Sequence, residues 1–126
     1  MKTLIRFSIL TALFSFAFHS MSAEFTVEKT KDGVTVKYGG ELFTRYVVGQ
    51  SNKPFMWPII GPNGNEVTRA FPMKKREGER HDHPHHRSLW FGHQGIGGFD
   101  TWHEPASGRK TNLGSTVHRE FVKAQG

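Results

Sequence analysis

The chain has 126 residues, 17 Lys and Arg against 11 Asp and Glu, no cysteine, and 36% hydrophobic residues with eleven Phe and three Trp. That length allows one ordinary domain of ~100–150 residues; the aromatic content excludes a disordered chain, and the missing cysteine excludes a disulfide scaffold, a zinc ribbon and a thiol nucleophile. Histidine is the outlier, eight in all, with four of them between His81 and His86.

Met1–Ala23 carries Lys2 and Arg6, then the apolar run Phe7–Phe18, then the small residues Ser20, Ser22 and Ala23. This is the layout of a cleaved secretory signal, so the protein is expected to be exported, periplasmic or secreted. The apolar run falls short of the ~20 residues of a spanning helix, and no membrane role beyond this segment is expected. The remaining 103 residues, Glu24–Gly126, keep a net charge of +4 and seven histidines. Their basic groups are scattered apart from Lys74-Lys75-Arg76, which reads as a solvated run, and no nucleic-acid partner is expected.

Period-2 alternation marks strands at Phe25–Val27 and Val34–Tyr38, with Lys31-Asp32-Gly33 as the hairpin turn between them. Gly39-Gly40 breaks into a third strand over Glu41–Val48. Phe55–Ile60 is apolar, but Pro54 and Pro58 make it an edge strand at best, and Gly61–Asn65 is a turn. Arg69–Arg87 is a charged loop of a length that is often functional. Strand character resumes at Ser88–His93, with Leu89, Phe91 and His93 on one side. Gly95–Gly98 is a turn, Phe99–Trp102 a short extended piece, Glu104–Gly114 a loop and Gly114–Lys123 a last strand. No window after Ala23 has helical periodicity with a cap.

The expected fold is therefore an all-β, antiparallel β-sandwich over 24–126, preceded by a signal-peptide helix over 1–23. Six or seven weak strands are few for a sandwich of ~7 or more, and the last has no evident neighbour. That count is the one expected of an incomplete sandwich.

The chemistry concentrates between His81 and Glu104. On an extended backbone His81, His83 and His85 point to one side, and His93 and His103 lie on segments able to fold back beside them. Two chemistries fit, beside a third reading in which the same residues form a saccharide-binding module without turnover. Imidazole titrates near neutral pH, so His83, His85 and His93, with Glu104 (or Asp100) as the partner carboxylate, form a candidate acid–base set for a sugar-directed hydrolase, lyase or epimerase. Trp90 and Trp102, with Phe91, offer flat faces to a saccharide ring, and Arg87 a planar fork for its oxygens. Alternatively, His83, His85 and His93 are a ligand set for Zn, Cu or Fe, for oxidation chemistry or for structure. Outside the cluster, His118 is expected to be an exposed partner of Glu120.

Asp82-His83-Pro84-His85-His86-Arg87-Ser88-Leu89-Trp90-Phe91, followed by His93, Gly98 and Trp102, resembles the signature of the PmoA-like family, secreted bacterial proteins that carry the label methane oxygenase PmoA and a domain of unknown function. Phe55–Gly64 and Arg69–Met73 are similar to its members as well, so the likeness covers most of Tyr46–Glu104. The resemblance implies a β-rich exported protein with a large sandwich similar to the aldose-epimerase supersandwich, of which residues 24–126 would be the N-terminal part, at home in bacteria that degrade polysaccharides. It implies no catalytic residues, so the candidate site rests on the chemistry of the residues themselves.

Overall fold

The computed structural model describes residues 23–126; the signal segment expected over 1–23 falls, Ala23 apart, outside them. Seven strands follow in chain order: β1 (Phe25–Thr30), β2 (Gly33–Tyr38), β3 (Glu41–Val47), β4 (Phe55–Ile59), β5 (Leu89–Trp90), β6 (Gln94–Ile96) and β7 (Phe99–Asp100). The first five pair antiparallel in the order β1-β2-β3-β4-β5, and β6 and β7 form a separate two-stranded ribbon. The all-β antiparallel class read from the alternation is what the structure shows, and among the described residues no barrel closes. Among the described residues no helix is long and apolar enough to cross a membrane.

The first three strands are a meander with tight turns. Gly39 and Gly40 form the two-residue loop between Tyr38 and its partner Glu41, with φ of +58° and +86°. Two successive positive φ values define the turn whose twist matches a hairpin, and glycine adopts them without strain.

Four local expectations are corrected. β4 is not confined to an edge: it pairs with β3 on one side and with β5 on the other. Pro54 precedes the strand, and Pro58 is tolerated because the β3–β4 register shifts between Thr44 and Tyr46 and because β5 reaches only Phe55 and Met56. Pro58 is therefore never asked for a ladder N–H. The strand expected over Ser88–His93 shrinks to Leu89–Trp90: Ser88, with φ of +63°, is left-handed and falls outside it, and the pairing with β4 extends no further than Leu89 and Trp90. Gly114–Lys123 forms no strand. Leu113 makes one parallel bridge to Asp100, and the Thr116 N–H donates to the Asn52 carbonyl at 2.8 Å. His118 is not an exposed partner of Glu120 either. It packs half-buried against Phe121 and Tyr46, with ring centroids 4.3 and 5.6 Å away.

The apolar core is small. Val34, Phe55 and Ala70 are its buried hydrophobic residues, whereas Thr44, Lys53, His85, Asp100, Thr101, His103 and Glu104 are buried and polar or charged. Four of these seven polar residues, Asp100, Thr101, His103 and Glu104, belong to the segment after β5, which supplies part of the candidate site. Phe55 is the central apolar side chain, 2% exposed, with the Arg87 guanidinium 5.4 Å from its ring. Phe55→Ala is expected to cost ~3–5 kcal/mol, as for other buried Phe deletions, read as a lowered urea midpoint. Val122→Ala, at a residue 95% exposed, is expected to stay within about 0.5 kcal/mol.

Candidate functional site

The segment 81–87 does not run extended. His83 has φ of +48°, and its carbonyl accepts the His86 N–H at 2.9 Å, so Pro84 and His85 are the central residues of a turn. Pro84, with its fixed φ, suits the first of those places. The turn splits the cluster. His81 leaves it and stacks on Phe71 at 5.0 Å. His83 and His86 stack on each other at 5.0 Å. His85 is driven inward, to 5% exposure, and meets the His103 ring at 4.7 Å.

His103 belongs to a second tight structure after β7. The Asp100 carboxylate accepts the backbone N–H groups of Trp102 and His103 on Oδ1, at 2.9 and 3.0 Å. Its Oδ2 accepts the Thr111 hydroxyl at 3.1 Å and lies 2.8 Å from His103 Nδ1. Arg109 Nη1 sits 3.3 Å from His103 Nε2. Arginine only donates, so Nε2 is the lone-pair nitrogen and Nδ1 carries the proton given to Asp100. A carboxylate holding one imidazole N–H, and so fixing the other nitrogen as an acceptor, is the wiring of a general base. Burial pushes the Asp100 carboxyl upward, but the hydrogen bonds from the His103 backbone and ring, Thr111 and Trp102 outweigh it and hold it down to about 2.

Behind these imidazoles lies a buried ionic frame. Glu104, 2% exposed, is gripped by Arg87, with Nε on Oε2 at 2.9 Å and Nη2 on Oε1 at 3.1 Å. Ser51 Oγ donates to the same Oε2 at 2.6 Å. Burial raises the Glu104 carboxyl, and the bonds from Arg87 and Ser51 more than reverse it. Lys53, 1% exposed, donates to the Trp102 carbonyl at 2.7 Å and sits 4.7 Å from the centre of the Trp90 ring. Burial lowers its ammonium, against the opposing pull of Glu104. Asn52 completes the frame by donating to the carbonyls of His103 and Gly114 at 2.8 and 2.9 Å.

The expected site residues separate accordingly. His83, His85, His86, Trp102, His103 and Arg109 line one cleft of about 520 Å³. His83 stands exposed beside Asp82, Nδ1 to Oδ2 3.2 Å. His93 is not with them: its backbone is tied to Thr101, and its side chain lines a separate hollow with Gly92, Gln94 and Trp102. Among the described residues no group of three or more His, Cys, Asp or Glu is placed to hold a metal ion, so His83, His85 and His93 do not assemble into the ligand set that their spacing suggests. Glu104 and Arg87 face each other and do not line the cleft. Trp90 supports the wall from behind, its ring 4.5 Å from that of Trp102. A Cβ on Gly92 would come within 2.7 Å of both the Trp90 ring and the Thr101 carbonyl, so only glycine allows this approach. Lys53, Ser51, Asn52 and Arg109 went unnoticed in the sequence. The one local sign was a Ser-Asn-Lys run, whose side chains bond readily to backbone.

The profile of a family of unknown function (DUF6807) matches residues 33–126. Neither a curated protein nor a solved structure matches the chain.

His85 gives the site its pH signature. Burial is the main cause, joined by the charges of His86, His103, Lys53 and His83, and its imidazole is pushed down to about 4 from 6.5. Between those values the unfolded chain binds a proton that the folded chain refuses, so stability falls as pH drops through that interval. Urea midpoints are expected to decline from pH 6.5 toward about 4, and His85→Gln is expected to flatten that part of the curve. A further loss toward about pH 2, from Asp100, is expected to persist in the variant. Arg87→Met strands a buried carboxylate and is expected to cost about 3 kcal/mol, the low end for a broken buried pair, because Arg87 keeps 15% exposure. The double variant with Glu104→Leu is expected to regain most of that loss in the same urea measurement.

Proposed function

The chain belongs to the DUF6807 family, and because that family has no known function, we propose from the site's geometry that the protein is carbohydrate-active. The observation that carries this is the pairing of His85 and His103, two buried imidazoles 4.7 Å apart, one pushed down to about 4 and the other fixed by Asp100. Both line a cleft with a tryptophan on its wall.

The cleft volume lies within the ~300–1,000 Å³ of small-ligand sites. Trp102, 37% exposed, presents an apolar face of the kind on which a sugar ring stacks. His103 Nε2 is the base that takes a proton from the substrate, once a substrate hydroxyl takes the place of the Arg109 donor. His85 stays neutral at neutral pH, and its buried Nδ1 has no partner among the described residues. Such an orphaned polar atom is costly unless a ligand or water satisfies it. Glu104, held as a carboxylate by Arg87 and Ser51, is scaffold in this scheme and not the proton donor. The PmoA-like resemblance, with its association with polysaccharide degradation, and the exported location implied by the N-terminal segment are consistent with a saccharide substrate.

The test is a titration of the full chain against neutral and acidic oligosaccharides, cello-, manno- and galacturono-oligomers among them, with product analysis by mass. Binding is expected to be saturable. Trp102→Ala is expected to weaken it by tenfold or more, the ~1.4 kcal/mol of a lost stacking face. His103→Asn is expected to abolish turnover while leaving binding within about threefold, a contrast worth ~0.7 kcal/mol. Absence of binding across the panel overturns the proposal. Binding that depends on Trp102 but yields no product identifies a recognition module in place of an enzyme.

A further inference from the structure

Building on the saccharide reading, the geometry points to an acidic sugar as the ligand, one whose anionic group is received by Arg109 at the mouth of the cleft. Arg109 is exposed, and among the described residues it makes no ion pair. Its guanidinium rests instead on a neutral imidazole nitrogen, His103 Nε2, at 3.3 Å. A neutral acceptor is a weak partner for an arginine fork, which is shaped to take two oxygens of a carboxylate, sulfate or phosphate.

The rest of the cleft is short of negative charge. His83, His85, His86, Trp102, Gln94 and Ser107 complete its lining, with no carboxylate among them. The nearby acids are all engaged. Asp100 is committed to His103, Thr111 and two backbone N–H groups, and Glu104 to Arg87 and Ser51. Asp82, beside His83, also lies 3.5 Å from the Arg69 guanidinium. Lys53 stands behind Trp90 and adds a buried positive charge. With Arg109 as a formal positive charge in its lining and no carboxylate beside it, the cleft favours an anion over a cation. The position of Arg109 on the base itself joins the two functions: an anion that draws the guanidinium away frees His103 Nε2 for the substrate. A neutral sugar leaves that nitrogen covered.

The experiment compares sugars that differ only in charge. Trigalacturonate is set against its methyl ester, and a sulfated cello-oligosaccharide against its unsulfated parent, by calorimetric titration of the full chain and of Arg109→Gln and Arg109→Lys. Acid over ester, or sulfate over parent, is expected at about tenfold or more, the size of one charge-assisted bond of ~1.5–3 kcal/mol. Which arm shows the preference identifies the anion. Arg109→Gln is expected to erase the preference of acid over ester or sulfate over parent, and Arg109→Lys to restore part of it. Equal binding of charged and neutral partners overturns the inference and leaves the saccharide reading standing. A preference that survives in Arg109→Gln overturns the role of Arg109. Failure of every sugar to bind removes the saccharide reading, and this inference with it.

Discussion

The bidentate pair between Glu104 and Arg87 is the constraint on which the site depends. A carboxylate that is 2% exposed is tolerable only if its oxygens are satisfied. Arg87 and Ser51 satisfy them with three hydrogen bonds. Those bonds join three stretches that are far apart in sequence: the β3–β4 connection through Ser51, the end of the histidine loop through Arg87, and the segment after β7 through Glu104. Lys53 and Asn52 reinforce the same junction by bonding to the carbonyls of Trp102 and His103. Once it is closed, His85 and His103 have little freedom but to face each other.

This explains why so small an apolar core is compatible with a defined cleft. Val34, Phe55 and Ala70 stabilise the sheet, but the β6–β7 ribbon and its neighbours are held by polar contacts. Polar networks have directional geometry, so they position side chains more narrowly than apolar packing does. They also tie the architecture to protonation. The frame needs Asp100 and Glu104 ionised and His85 neutral, and acid works against all three conditions. The cleft is therefore built for a pH range in which its carboxylates are charged and its innermost imidazole is not.

Within the cluster each residue type has a task set by its surroundings. Asp100 accepts four hydrogen bonds and fixes the tautomer of His103. Glu104 has the same functional group and serves as the anchor for a guanidinium. Of the three tryptophans, Trp102 is exposed to the cleft, while Trp90 is wedged between Lys53 and Trp102 as backing. Arg87 and Arg109 divide similarly, the first neutralised inside and the second without an acid partner at the surface. In each pair it is burial, and not residue type, that separates support from recognition.

The sequence by itself determined the local β structure. Alternation at Phe25–Tyr38, the Gly39-Gly40 turn and the apolar stretches at β3 and β4 depend on side-chain period and on glycine's freedom, which are properties of short segments. It also marked out the candidate cluster, because a dense run of imidazoles stands out in any composition. It did not determine which imidazoles meet. The spacing of His81, His83 and His85 suggested one face of a strand, but the turn at Pro84-His85 sends His81 away to Phe71 and keeps His83 and His85 in one cleft, and the strand that would have carried His93 stops at Trp90. The partnership of His85 with His103, the capture of Glu104 by Arg87 and the burial of Lys53 were decided by the tertiary structure. They arise from satisfying buried charges contributed by segments that meet only once the chain has folded, and no local pattern encodes which donor will reach which acceptor.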